Sequence, residues 1–133
     1  MPDVSQADFQ KYAISVTDTG VDQKVLTVPA ETIVFVPALR VTTARIGGTI
    51  TYNITDSNAE DTAPGVNLFM LEAIIASTVL GLKRNTAALG LEIFTFTVAG
   101  SIWLDVTQTL APGTRPVFTL YALATRLVPG VLL

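Results

Sequence analysis

From Thr49 to Thr55 the chain reads TITYNIT, with Ile50, Tyr52 and Ile54 alternating with Thr49, Thr51, Asn53 and Thr55. Successive side chains of an extended strand point to opposite faces, so this segment has one apolar face and one lined by hydroxyls and an amide. A helix would scatter the same residues around its surface. Composition argues the same way. Threonine, valine and isoleucine supply 43 of the 133 residues, and their branched side chains lose rotamer freedom in a helix but pack well on a pleated sheet.

Further strands follow from the same alternation. Gly47 and Gly48 can take the positive φ of a two-residue turn, which predicts a hairpin over Ala38 to Thr55 with Val41 opposite Ile54, Thr43 opposite Tyr52 and Arg45 opposite Ile50. Tyr12, Ile14 and Val16 alternate with Ala13, Ser15 and Thr17 before an Asp18-Thr19-Gly20 turn. Gln23 to Val28 and Thr32 to Val36 are short runs bounded by Pro29 and Pro37, as expected of edge strands or strand ends. Leu91 to Val98 and Ser101 to Thr107 flank Ala99-Gly100 as a second hairpin, with a change of phase near Ile93-Phe94 that signals a bulge. Val117 to Leu127 is apolar on both faces, the mark of a central strand or a subunit contact.

Val66 to Leu82 is apolar at nearly every position and fits either a buried helix ended by Gly81 or two buried strands; the β-rich surroundings favour strands. The first ten residues are polar and without pattern, which predicts an amino-terminal arm over 1–10 and one domain over 11–133. Roughly eight or nine strands with turn signals about every 8–12 residues predict an all-β chain, a single-domain antiparallel β-sandwich, of which a jelly roll is one solution.

What the chain lacks narrows its chemistry. It has no cysteine and no histidine, which removes thiolate and imidazole metal ligands, disulfides and every Ser-His or Cys-His arrangement. Hydrophobic residues make up 50% and charged residues 14%, where an ordinary soluble domain carries about 25% charge. A monomer of that composition exposes apolar patches, so self-association is expected. The net charge is −3 and the only adjacent basic pair is Lys83-Arg84, so no nucleic-acid surface is expected. The amino terminus MPDVSQADFQ is not a signal peptide, and Val66 to Leu82, at 17 residues with Glu72 inside it, is too short for a membrane span.

Three constellations are candidate sites. Asp56, Asn58, Glu60 and Asp61 crowd one connection, and the first three have the alternate spacing with which a calcium loop begins, but Asp61 stands where such a loop needs glycine and Asn67 where it needs glutamate. A solvated connection explains the same residues, and no metal or other cofactor is expected. Glu72 and Glu92 lie in apolar surroundings that raise a carboxyl pKa, and would serve a glycoside hydrolase if they faced each other across a cleft. A strand that sends Glu92 to solvent accounts for it equally well, and no enzymatic activity is expected. Trp103 shares a polar face with Ser101, Asp105 and Thr107, and is either covered by its own chain or an anchor for a partner or a sugar.

The polar arm, the cysteine- and histidine-free sandwich, the hydroxyl-lined faces and the apolar tail Val128 to Leu133 together resemble small virion proteins of tailed bacteriophages, of the capsid decoration or cement kind. The likeness covers the whole chain at the level of composition and strand layout, and transfers no residue roles. It implies a structural protein of the virion, present in the host cytoplasm during assembly. Its partners would be itself, as a homo-oligomer and by preference a trimer, and a viral capsid protein. The contact residues expected on this reading are Trp103, Val117, Tyr121, Leu123, Val131, Leu132 and Leu133. The alternative is a β-sandwich module that binds carbohydrate or a small ligand through Trp103.

Overall fold

The computed structural model describes residues 10–57, 60–71, 75–85, 93–108 and 113–127. Among them run nine strands: β1 Gln10–Thr17, β2 Gln23–Val28, β3 Thr32–Thr43, β4 Ile50–Ser57, β5 Pro64–Met70, β6 Gly81–Arg84, β7 Ile93–Phe96, β8 Gly100–Gln108 and β9 Val117–Arg126. One sheet has the order β1-β9-β3-β6, with β7 also paired to β3, and the other has β2-β8-β4-β5. All pairings are antiparallel. The order is nested: β1 lies beside β9, β2 beside β8, β3 beside β6 and β7, and β4 beside β5. A chain folded back once at the β4–β5 connection and then rolled, so that successive rungs fall in opposite sheets, has this jelly-roll order. The expected all-β sandwich is therefore what forms.

Strands β6 and β7 are two halves of one sheet edge. Arg84 to Gly81 pair with Ala38 to Val41, while Phe96 to Ile93 pair with Thr32 to Phe35. The break falls opposite Pro37, which has no N–H to give to a ladder. Asn85 fills it: its backbone N–H donates to Pro37 O (2.8 Å), and its side-chain Nδ2 donates to Val36 O in one sheet and to Phe69 O on β5 in the other. One amide thus ties the two sheets together at their shared edge.

Alternation decides which side chains enter the core. Val34, Val36, Leu39 and Val41 of β3, Ile50, Tyr52 and Ile54 of β4, Ile102 and Leu104 of β8, and Phe118 and Leu120 of β9 are all buried. Tyr52 from one sheet and Phe118 from the other meet edge to face at 5.3 Å between ring centroids, a favoured aromatic geometry.

Both expected hairpins are overturned. β3 and β4 lie in opposite sheets, because β3 is flanked by β9 and by β6 and β7, and β4 by β8 and β5. Val41 and Ile54 therefore point into the core from facing sheets. Gly47 and Gly48 do take positive φ, 74° and 70°, but they carry a crossing between sheets. Arg45 holds that crossing: its Nη1 donates to Gly47 O (3.1 Å) and Gly48 O (3.0 Å), and its Nε donates to Ser77 Oγ (3.3 Å). Likewise β7 pairs with β3 and β8 with β4 and β2, so Ala99-Gly100 is a second crossing. The ambiguous run 66–82 is strand at both ends, and between them Ile75 N–H donates to Leu71 O (3.0 Å); residues 72–74 lie outside the described residues.

The two outward faces differ in character. On the β2-β8-β4 sheet Lys24, Thr51, Asn53, Asp105 and Thr107 point outward; on the other sheet the outward row of β9 is Val117, Thr119, Tyr121, Leu123 and Thr125. Leu123 stands in register with Phe35 of β3, which stands in register with Ile93 of β7.

Candidate functional site

The acidic connection does not act as one cage. Asp56 ends the inward parity set by Ile50, Tyr52 and Ile54, and its carboxylate turns between the sheets, where Oδ1 accepts the Asn67 backbone N–H (3.2 Å) and Oδ2 accepts Asn67 Nδ2 (2.9 Å). Asp61 lies on the outer face of the β2-β8-β4 sheet, in a left-handed conformation (φ 52°) that aspartate tolerates. Its carboxylate accepts from Lys24 Nζ (2.9 Å), Ser101 Oγ (3.1 Å) and Trp103 Nε1 (3.3 Å). Glu60 is exposed, and Asn58 lies outside the described residues. Among the described residues no three acidic groups come close enough to hold a metal ion, so Asp56 and Asp61 serve separate partners.

Trp103 is covered by its own chain. It is only 7% exposed, with Asp61 on its indole N–H and the Lys24 ammonium 5.7 Å from its ring centroid. This corrects its expected role as a contact residue or sugar platform: a ring face already covered has no area left for a partner. Burial pushes the Asp61 carboxyl up, but the hydrogen bonds from Lys24, Trp103 and Ser101 together outweigh that and hold it below its ordinary value. A depressed folded pKa contributes stability above the unfolded value and loses it as pH falls through the folded one.

The Lys24–Asp61 pair is half exposed, so its loss is worth at most about 1 kcal/mol and is felt locally. Asp61→Asn is expected to shift the emission of Trp103, the sole tryptophan, to longer wavelength at neutral pH. The unaltered chain is expected to show that shift only in acid. An unchanged emission maximum in the variant would show that the loop stays closed without the carboxylate.

Asp56 forms the floor of a different feature. A cleft of about 440 Å³ opens at the sandwich edge between β4–β5 on one side and β7 with its following turn on the other. Phe94 and Phe96 form its wall, edge to face at 5.1 Å, and Phe69 packs behind Phe94 at 6.1 Å. Val66, 90% exposed, and Val98 stand at the rim. A Cβ at Gly65 would collide with the Asp56 carboxylate and the Ser57 carbonyl, so glycine is what lets β5 run so close to that acid.

The remaining expected contact residues divide. Val117, Tyr121 and Leu123 are brought together on the outward face of β9, each half-buried. Val131, Leu132 and Leu133 lie outside the described residues, as do Glu72 and Glu92. No protein-family model, curated protein or solved structure matches this chain.

Proposed function

We propose that this chain is a self-associating structural protein of a virion surface, of the capsid decoration kind, which acts by covering apolar surface rather than by catalysis. The observation that supports this reading best is the outward face of the β1-β9-β3 sheet. The outer face of an antiparallel sheet normally alternates to polar residues. Here Val117, Tyr121 and Leu123 occupy it on the central strand, with Ile93 exposed at the β7 edge and Leu82 exposed on β6. The opposite outer face is polar and carries its own loop, so of the two sheet faces this one is better suited to be covered. A jelly-roll order is shared by viral capsid domains and lectins, and the covered Trp103 takes away the anchor on which the sugar-binding alternative relied.

The mechanism is burial: removing apolar surface from water yields ~25 cal/mol per Å² before the costs of ordering. A second copy, or the surface of a capsid subunit, supplies the complementary apolar area. Leu123→Glu places a charge at the centre of that face without touching the core. The variant is expected to weaken self-association at least about tenfold, since burying an unpaired carboxylate costs well over 1.4 kcal/mol. Light scattering of the variant beside the unaltered chain reads this directly. Equal masses at every concentration would remove this face from the interface.

A further inference from the structure

We propose that the cleft between β5 and β7 is a binding site for an organic cation, an ammonium or guanidinium group on an apolar stem, with Asp56 as its counter-ion. Among the described residues Asp18 and Asp56 are the buried carboxylates. Asp18 is given Arg115 (3.2 Å), and even the partly exposed Asp61 is given Lys24 (2.9 Å). Asp56 is 7% exposed, and among the described residues its partners are only the two neutral donors of Asn67. An ionised carboxylate offers about four acceptor positions, so roughly half of its capacity is not taken by Asn67, and Asp56 lines the cleft.

The surroundings select the chemistry. A carboxylate only 7% exposed, in a cleft that Phe94, Phe96 and Val66 also line, is poorly solvated, and an opposite charge brought to it offsets part of what burial costs. Aromatic rings within reach of the same cation add a cation–π contribution, and the apolar wall accepts a methylene stem. A hard metal ion is a worse fit, because calcium takes about 6–8 oxygens and the described residues lining the cleft supply one carboxylate. The volume lies within the roughly 300–1,000 Å³ of small-ligand sites. The cation can come from a free small amine or guanidine, or from a lysine or arginine side chain of a neighbouring chain; the recognition is the same.

The test is a titration of the full chain, followed by backbone amide shifts at Gly65, Val66, Asn67, Phe94 and Phe96. The probes are n-butylguanidinium, n-butylammonium and the neutral isostere n-butanol. Both cations are expected to give saturable shifts with a dissociation constant of about 1 mM, a reasonable efficiency for so few atoms. Butanol is expected to bind at least tenfold more weakly, as is either cation to Asp56→Asn. Butanol binding as well as the cations, shifts elsewhere only, or affinity unchanged in Asp56→Asn would each overturn the site. The comparison on the unaltered chain decides the matter even if the variant does not fold. Light scattering in the presence of n-butylguanidinium separates the sources. A fall in assembled mass identifies the natural cation as a side chain of a neighbouring copy, and an unchanged mass with the shifts present identifies a free small cation.

Discussion

Arg115→Ala is expected to lower the unfolding free energy by about 3 kcal/mol. The reason is Asp18, whose side chain is fully buried while that of Arg115 is 34% exposed. Asp18 accepts hydrogen bonds from Tyr52 Oη (2.6 Å), the Gly20 N–H (2.7 Å) and Arg115 Nη1 (3.2 Å). Without the guanidinium, a carboxylate remains in the interior with neutral donors alone, and breaking a buried pair from one side is costly for that reason. Asp18→Asn combined with Arg115→Ala removes both charges and is expected to be milder than Arg115→Ala alone. Denaturant unfolding at one protein concentration measures both. A loss below about 1 kcal/mol for Arg115→Ala would mean that the pair behaves as an exposed one.

Phe118→Ala is expected to cost about 3–5 kcal/mol, in the range of phenylalanine truncations in well-packed cores. Phe118 is fully buried near the start of β9, in register with Val16 of β1 and Val41 of β3, and its ring meets Tyr52 across the sandwich. The cavity would open where the two sheets touch, and strands pinned on both edges cannot collapse to fill it. Tyr52 also holds Asp18, so Phe118→Ala and Arg115→Ala act on one connected group and their costs should not add. Full additivity, within about 0.5 kcal/mol, would show that the aromatic pair and the buried ion pair are independent.

How much of this was legible in the sequence depended on whether the signal was local. The alternation of Ile50, Tyr52 and Ile54, of Ile14 and Val16, and of Phe118, Leu120 and Ala122 marks which side of each strand is buried, and the structure keeps those sides. Pairing is not local. Gly47-Gly48 and Ala99-Gly100 have the composition of hairpin turns, yet both carry crossings, because the edges of β3, β4 and β8 are taken by strands distant in the chain.

The same holds for the sites. Nothing near Trp103 indicates that Asp61, 42 residues earlier, covers it, and nothing in Asp18-Thr19-Gly20 indicates that Arg115 lies 97 residues away against that turn. Asp56 is the instructive case. Its neighbours have the composition of a solvated loop, but it continues the inward parity of β4, and that parity was the signal that it would be buried.

The most direct test of the central claim is the mass of the full chain in solution, measured by light scattering over a range of concentrations. The monomer is 14.1 kDa. A concentration-dependent rise to a discrete multiple is expected, with a trimer at three times that value, about 42 kDa, as the preferred state. A chain that stays at 14.1 kDa at every concentration, with its apolar β9 face open to water, would contradict it.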